Sequence, residues 1–305
     1  MNIGAYKNLL AQLDKVHRHN RQGSYQTRRR YYESMQRFCR FLAEEYRLEK
    51  LKNISPKHIE AYVAYMKQRE IKPATIKTDL AGIRFMHGKL SEARHEIPDN
   101  SKLSLERRSF GKMDRTWRTE EFNRFLDVCF AYDRDDYIAI ACLARYGGLR
   151  IHECFRLDTA TAEHAIRSGI LVIKGKGGWI REIPLASRVQ TEMEKMLKRT
   201  QRGQKLFVPP DSQTHTEIEK LQDFIIRHRA QFQSEDRSYP LHAHGWRHTY
   251  AQEQYLSLVQ SGQSELEAKR RISQLLGHNR PDVVNIYLAG VRGNLAEVKG
   301  GGSYV

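Results

Sequence analysis

The sequence predicts a mainly α-helical protein with one small antiparallel β-sheet, divided into two domains. Apolar residues recur at helical spacing through most of the chain, as Met35, Phe38, Leu42 and Tyr46 do. Residues 170–184 instead alternate β-branched side chains around a Gly-Lys-Gly-Gly turn, which indicates a β-hairpin. A basic segment without periodicity lies between two runs of helices, and it indicates the domain boundary.

That boundary segment spans residues 101–113. It contains serine and glycine, and its lysines and arginines outnumber its acidic residues, which is typical of an exposed linker. We therefore expect a helical domain over residues 1–100 and a second domain over residues 114–305. The alternative is a surface loop within a single domain.

The first domain is predicted to be all α-helical with basic faces. Residues 1–23 form one amphipathic helix in this prediction, and the helix from Thr27 to about Leu48 follows. Ser55 and Pro56 are an N-cap and a proline at the first helical position, and they open a third helix. A fourth helix is expected after Pro73.

The second domain contains the predicted sheet among further helices. Thr119 is expected to cap its first helix, and residues 135–157 form a central apolar helix broken at Gly147 and Gly148. The β-hairpin follows over residues 170–184. Helical patterns then occupy the remaining segments, which are residues 187–200, 215–232, 241–259, 264–278 and 281–290.

Composition points to a polyanionic partner. The 305 residues include 52 Lys and Arg against 36 Asp and Glu, which gives a net charge of +16 and an isoelectric point near 9.7. Such a chain usually binds nucleic acid, because basic side chains displace the counterions condensed on phosphate. The alternative is a ribosomal-type or merely basic protein.

The cysteines and the apolar runs bear on the cellular compartment. Cys39, Cys129, Cys142 and Cys154 lie inside apolar helical runs without a metal-binding spacing, so we expect reduced core thiols. No apolar run reaches the length needed to span a bilayer, and the N-terminus lacks the apolar stretch of a signal peptide. These features predict a cytoplasmic protein.

Five short segments occur in an informative order. They are Gly-Leu-Arg-Ile-His-Glu around Arg150, Gly-Lys-Gly-Gly around Lys176, His-Gly-Trp-Arg from His244 to Arg247, Leu-Gly-His ending at His278, and a segment containing Tyr287 nine residues later. Each segment alone is weak, but the ordered set resembles the signature of the tyrosine recombinases, or phage integrases. The resemblance covers the C-terminal two-thirds closely, and the N-terminal part only in pattern.

The resemblance implies a helical core-binding domain with a SAM-like fold, followed by an α+β catalytic domain. It also implies that Arg150 and Arg247 clamp the non-bridging oxygens of a DNA phosphate. Guanidinium groups suit that task because they stay ionised and donate in a planar fork. The alternatives are a structural ion pair between Arg150 and Glu153, and a generic phosphate contact for Arg247.

The resemblance assigns Tyr287 as the nucleophile, which would form a covalent bond to DNA phosphorus. Tyr250 and Tyr304 do not lie at the required distance from the Leu-Gly-His segment. Lys176 is implied as the acid that protonates the departing 5′ oxygen. Lys174, two residues earlier, is its rival, and the alternative for the hairpin as a whole is simple contact with backbone phosphates.

Histidines and an acidic residue complete the implied site. His244 would exchange a proton with the tyrosine or the phosphate, and His278 would hydrogen-bond a non-bridging oxygen. Glu153 is expected to support Arg150 or a neighbouring histidine. His242 and His248 are interpreted as ordinary core or surface residues. A zinc site is disfavoured because neither cysteine nor carboxylate clusters with these histidines, and we expect neither a metal nor another cofactor.

The chain departs from the family pattern at two places. Trp246 stands where leucine is common, and we expect it to fill the same core pocket. His278 follows Arg247 by 31 positions, an interval several residues longer than in compact members of the family. We expect the additional length to form a loop around residues 257–267.

The function implied by the resemblance is site-specific recombination without a metal. Strands would be cut to a 3′-phosphotyrosine and exchanged through a Holliday junction, by a tetramer on two double-stranded DNA sites at the nucleoid. Accessory proteins are compatible with this scheme, and the segment after Tyr287 is the usual place for exchange between protomers. The alternatives are a type IB topoisomerase-like enzyme that relaxes supercoils, and a DNA-binding regulator without catalysis.

Overall fold

The computed structural model describes residues 2–106, 113–175, 178–278 and 281–291. The chain divides into two compact units, Met1–Ser109 and Phe110–Val305. Each unit buries a hydrophobic core made of its own residues. Most of the described chain is helical and its single sheet has two antiparallel strands, so the predicted fold class is confirmed.

In its described residues, the first unit contains four α-helices, which are α1 (Ile3–His19), α2 (Tyr25–Glu45), α3 (Pro56–Gln68) and α4 (Pro73–His87). The Ser24 hydroxyl accepts a hydrogen bond from the Thr27 backbone N–H and so caps α2, while Ser55 caps α3 ahead of a proline, as the sequence predicted. Met35, Phe38 and Leu42 on α2 are fully buried, which confirms the apolar face inferred from their spacing.

The second unit contains eight further helices and the sheet in its described ranges. The helices are α5 (Thr119–Ala131), α6 (Asp135–Tyr146), α7 (Ile151–Cys154), α8 (Thr159–Ser168), α9 (Ser187–Leu197), α10 (Thr214–Phe232), α11 (His244–Gln260) and α12 (Glu265–Leu275). A 3-10 turn spans Pro281–Ile286. The central apolar helix is interrupted after Tyr146, so the predicted break at Gly147 and Gly148 is confirmed.

The hairpin consists of β1 (Ile170–Lys174) and β2 (Ile180–Pro184), paired in antiparallel register. Side chains alternate between exposed and buried along both strands, because successive residues of a strand point to opposite faces. Ile173 on β1 faces inward and pairs with Arg181 on β2, which places a guanidinium on the buried face of the sheet. The predicted hairpin is confirmed.

Trp246 lies at the centre of the second core. Its side chain is fully buried, and its ring centroid lies 5.3 Å from that of Trp117 and 5.1 Å from that of Phe125. The expectation that a larger ring fills a core pocket here is confirmed. The packing fixes the start of α11, and it therefore fixes the orientation of Arg247 on the next position of that helix.

Two local predictions were wrong. The N-cap of α5 is Arg118 rather than Thr119, and Glu121 accepts a hydrogen bond from the Arg118 backbone N–H. The expected long loop around residues 257–267 is confined to residues 261–264, because α11 continues to Gln260 and α12 begins at Glu265. The glutamines and leucines of that segment favour helix strongly enough to extend both helices.

The cysteines and the helices agree with the expectations from the sequence. All four cysteines are buried free thiols, as expected for core residues. None of the helices in the described ranges combines the length and the apolarity needed to cross a bilayer.

Candidate active site

Arg150 occupies a turn whose shape requires glycine. The chain leaves α6 at Gly147 and adopts a positive φ of +65° at Gly148, where a Cβ would lie 2.4 Å from the ring of Tyr250. Arg150 is then the N-cap of α7, and its backbone N–H donates to Glu153 Oε2 at 2.7 Å. The turn places the mostly buried Arg150 side chain, which is 19% exposed, beside the carboxylate of Glu153.

Glu153 organises three guanidinium groups. Its buried carboxylate accepts hydrogen bonds from Arg150 Nη1 at 3.0 Å and from Arg181 Nη1 and Nη2 at 3.0 and 2.6 Å. Arg247 Nη1 lies 3.9 Å from Glu153 Oε2. Burial alone would raise the pKa of Glu153, but the hydrogen bonds and charge of Arg181, with the Arg150 N–H, lower it to about 2.

Arg181 was missed by the sequence reasoning. It lies 28 residues from Glu153 in the chain, on the buried face of β2, and its side chain is 5% exposed. The strand alternation was the available signal, because it places residue 181 inward, where an arginine needs a carboxylate partner. Its Cδ would lie 3.2 Å from a Cβ on Gly277, so Arg181 connects α7 to the turn before His278.

Arg247 is fully buried on α11 and fixed by backbone carbonyl groups. Its Nη1 donates to the carbonyl oxygen of Gly148 and its Nη2 to that of Leu276. These bonds join the Arg150 turn, α11 and the end of α12 through one planar group. Burial lowers the pKa of Arg247 to about 10, so the guanidinium remains charged at neutral pH.

Tyr287 lies against His278 and Arg247. The Tyr287 hydroxyl is 3.2 Å from His278 Nε2, and Arg247 Nη2 is 3.5 Å from the same nitrogen. An arginine can only donate, so we assign Nε2 as the acceptor and the tyrosine hydroxyl as a donor to it. Burial and the charges of Arg247 and Arg150 lower the pKa of His278 to about 4, which keeps the ring neutral.

The backbone of the nucleophile candidate is also held. Gln252 on α11 donates from Nε2 to the carbonyl oxygen of Tyr287 at 2.9 Å. The side chain of Tyr287 is only 5% exposed, although it follows a short 3-10 turn. The phenol therefore occupies a defined position beside the arginines.

Two histidines of α11 surround the Tyr287 ring. The His244 ring centroid lies 6.0 Å from that of Tyr287 and the His248 centroid 4.5 Å from it. His244 is exposed, but loss of hydration beside the surrounding protein atoms and the charge of Arg247 lower its pKa to about 4. Burial, with His244 and Arg115 nearby, lowers the pKa of His248 to about 3.

The sequence analysis interpreted His248 as an ordinary core or surface residue, but the structure places its ring against that of Tyr287. It is 1% exposed, and within the described residues neither ring nitrogen has a hydrogen-bond partner. Its spacing of four residues from His244 places both rings on one face of α11, which was the available signal. His242 is exposed and remains peripheral to the tyrosine.

The structure describes one of the two hairpin lysines, Lys174, but not the other. Lys176 lies outside the described residues. Lys174 is exposed at the end of β1 and pairs with Ile180 across the hairpin.

Among the described residues, no group of three or more histidines, cysteines or carboxylates is placed to hold a metal ion.

The assembled site is a positively charged recess that contains a phenol. Three guanidinium groups surround one carboxylate, so positive charge remains available for a phosphate. Neutral imidazoles lie beside the phenol and can accept or return a proton. This arrangement suits nucleophilic attack on a phosphodiester, because fixed guanidinium groups beside the phenol can stabilise the negative charge that develops there.

Comparisons with known proteins match both units. Residues 6–93 match the family described as "Phage integrase, N-terminal", and residues 115–291 match the "Phage integrase family". The tyrosine recombinase XerC of Natranaerobius thermophilus is 23% identical over 284 residues, which are 88% of this chain and 89% of that protein.

Solved structures show the same fold at low sequence identity. The XerH recombinase bound to a palindromic difH substrate has a TM-score of 0.63 and 20% identity, over 95% of this chain and 83% of that one. A lambda integrase dimer on a COC′ core site has a TM-score of 0.60 and 15% identity, over 93% and 78%. The Tn1549 transposon integrase on transposon end DNA has a TM-score of 0.57 and 14% identity, over 99% and 100%.

Proposed function

Because this chain belongs to the phage integrase family, the tyrosine recombinases, we propose that Tyr287 attacks a DNA phosphate held by Arg150 and Arg247. The chain is a site-specific DNA recombinase. The observation that carries the residue assignment is the placement of the Tyr287 hydroxyl 3.2 Å from His278, beside the guanidinium of Arg247. Among the tyrosines that the structure describes, only Tyr287 combines the expected spacing with contact to the arginine cluster.

In the proposed reaction, the two arginines bind the non-bridging oxygens of the scissile phosphate. The Tyr287 oxygen bonds to phosphorus, and the bond from phosphorus to the 5′ oxygen breaks. A neighbouring histidine, His244 or His278, takes the phenol proton, and Lys176 donates a proton to the departing 5′ oxygen. The product is a 3′-phosphotyrosine and a free 5′-hydroxyl. Strands are joined when the 5′-hydroxyl of one site attacks the phosphotyrosine of the second site, which breaks the bond from phosphorus to the tyrosine oxygen and returns the proton to the phenol.

The protonation states of the two histidines suit this proton transfer. Both His244 and His278 are neutral in the free protein, so each can accept a proton. A bound phosphate adds negative charge next to them, which raises the pKa of a nearby histidine. His278 can then donate its proton to a non-bridging oxygen, while Glu153 keeps Arg150 and Arg181 in place.

The assembly proposed for this chain is a tetramer on two double-stranded DNA sites, which passes through a Holliday junction. Support comes from a lambda integrase tetramer bound to a Holliday junction, which matches 92% of this chain at a TM-score of 0.59. The segment after residue 291, proposed for exchange between protomers, lies outside the described residues. Accessory proteins fit the same scheme, and action on chromosomal DNA at the nucleoid follows from it.

The first prediction tests the nucleophile and the absence of a metal requirement together. The wild-type protein is expected to form a covalent adduct with a nicked suicide duplex in EDTA, because arginines supply the positive charge that a metal supplies elsewhere. Tyr287→Phe is expected to form no adduct while retaining DNA binding, because only the attacking oxygen is removed. Adducts are measured by denaturing electrophoresis, and binding by mobility shift.

The duplex for this assay is obtained by sequencing DNA trapped covalently on the wild-type protein in cells. An adduct with Tyr287→Phe would move the nucleophile elsewhere, with Tyr304 tested next. A strict requirement for added divalent metal in the cleavage step would show that the proposed chemistry is wrong. Tyr250→Phe is the matched control, and it is expected to cleave.

A further inference from the structure

The end of the β-hairpin exposes two large apolar side chains. Trp179 is 59% exposed and Ile180 is 67% exposed, whereas Trp117 and Trp246 are 2% and 0% exposed. Within the described part of the chain, neither a ring contact nor a hydrogen bond holds the Trp179 indole. Exposed tryptophan is costly in water and is typical of surfaces that become covered by a partner.

The hairpin end lies beside the arginine cluster. The Gly175 backbone N–H donates to the Trp179 carbonyl oxygen at 2.7 Å. A Cβ on Gly175 would lie 3.5 Å from that oxygen, 3.5 Å from Glu153 Oε1 and 3.3 Å from Arg181 Nη1. The backbone at Trp179 is therefore adjacent to the carboxylate that organises the candidate phosphate site.

This position determines which partner can cover the two side chains. A phosphate bound at Arg150 brings its adjoining nucleotides against the neighbouring hairpin, because successive phosphates along one strand are only several ångströms apart. The basic Lys174 at the end of β1 suits a polyanion rather than a protein surface rich in basic residues. The hairpin surface is thus continuous with the candidate DNA site.

We propose that Trp179 stacks on a base next to the scissile phosphate, on the side of the leaving strand, and that Ile180 packs against the same nucleotides. The inference rests on the proposed function and adds a DNA contact to it. Tryptophan suits this task because every base has an aromatic face, and apolar side chains of DNA-binding proteins commonly part base steps. The freed 5′ strand must leave its duplex during exchange, and a stacked indole stabilises the unstacked base.

The test uses the tryptophan fluorescence of Tyr287→Phe, which leaves the duplex uncut. Trp179 is the one exposed tryptophan, since the other two of the three are buried. Acrylamide is therefore expected to quench mainly Trp179 in the free protein. Binding of a short duplex with one recovered half-site is expected to protect most of that quenchable fraction. Trp179→Phe in the same background should lack the fraction.

Affinity provides the second measurement. Trp179→Ala is expected to weaken binding to the half-site by about tenfold, as loss of one stacked base does, whereas Trp179→Phe keeps most of the affinity. Phe130→Ala is the matched control, because Phe130 is 74% exposed at the end of α5, and it should bind as tightly as the parent.

The outcomes separate this inference from the proposed function. Half-site binding with unchanged acrylamide quenching of Trp179 would overturn the DNA contact and leave the recombinase assignment intact. Protection that appears only when two full sites are joined would assign the surface to a second copy of the chain, which also overturns the proposal. Absence of any covalent adduct with the wild-type protein would instead contradict the proposed function itself.

Discussion

The Glu153 carboxylate holds three guanidinium groups together and neutralises only part of their positive charge. Its two oxygens accept from Arg150 and Arg181 and lie close to Arg247, so three positive groups share one negative charge. The arrangement keeps the guanidiniums together in the absence of DNA, where they would otherwise repel one another. In the proposed reaction, the excess positive charge that remains stabilises the scissile phosphate.

The second prediction concerns the stability that this carboxylate provides. Glu153→Gln is expected to lower the free energy of unfolding at neutral pH by about 3–5 kcal/mol, because removing one partner leaves buried charge uncompensated. The folded pKa of Glu153 is depressed from 4.5 to about 2. Its contribution is therefore fully present above the unfolded pKa, and it is lost as the pH falls from about 4.5 toward 2.

The measurement is thermal unfolding of wild type and Glu153→Gln at about pH 7, 5 and 3. The difference between the two midpoints should be constant down to about pH 5 and should narrow at about pH 3. Glu120→Gln, an exposed position on α5, is the control and should unfold as wild type does. Equal midpoints for wild type and Glu153→Gln at neutral pH would contradict the assigned role.

At the scale of elements, the hairpin has two different faces. Its inner face carries Arg181, which binds α7 through Glu153 and contacts the turn at Gly277. Its outer face carries Lys174 and Ile180, which are exposed and paired across the strands. The hairpin is thus anchored on the arginine cluster by one strand position, while Lys174 and Ile180 on its outer face are exposed.

The third prediction separates the two hairpin lysines by leaving-group rescue. Lys176→Ala is expected to cleave normal DNA slowly, because the 5′ oxygen then leaves unprotonated. A substrate with bridging 5′ sulfur at the scissile position needs no acid, so it should restore cleavage by that variant. Arg150→Ala should remain slow on both substrates, because its defect concerns the non-bridging oxygens. Single-turnover cleavage rates provide the measurement.

Lys174→Ala is the matched control for this experiment. It should cleave nearly as wild type, with weaker binding that is relieved at low salt. If the sulfur substrate rescued Lys174→Ala, and Lys176→Ala cleaved normal DNA as wild type does, the general acid would be Lys174 instead of Lys176. Rescue of neither variant would leave the hairpin as a DNA contact, and His244 would become the first candidate for the proton donor.

The elements also show what the sequence could and could not predict. Periodicity predicted the α2 face around Phe38 and the hairpin, because both patterns are local properties of the chain. The partner of Arg181 could not be predicted, since its carboxylate lies 28 residues away and their contact depends on tertiary packing. His248 was underestimated for the same reason, because only the packing of α11 on residue 287 reveals its position.

At the scale of the whole molecule, the candidate catalytic residues lie in one of the two units, while the other unit offers further basic surface. Every candidate catalytic residue that the structure describes lies in the second unit, between Arg150 and Tyr287. The first unit has its own core and exposes basic side chains such as Arg29 and Arg40 on α2. Both units can therefore neutralise DNA phosphates, but only the second carries the proposed site.

The fourth prediction is that a fragment beginning at Met113 folds and cleaves without the first unit. Its core is complete within the described residues 117–291, so circular dichroism should show a helical, cooperatively unfolding protein. At low salt and high protein concentration it should form the covalent adduct with the suicide duplex.

The affinity of the fragment for DNA should depend less steeply on salt than that of the full chain, because fewer phosphates are neutralised and the slope scales with their number. Equal slopes for fragment and full chain would show that the first unit contributes no phosphate contacts. An unfolded fragment would show instead that the second core depends on residues of the first unit, which the separation of the two cores argues against.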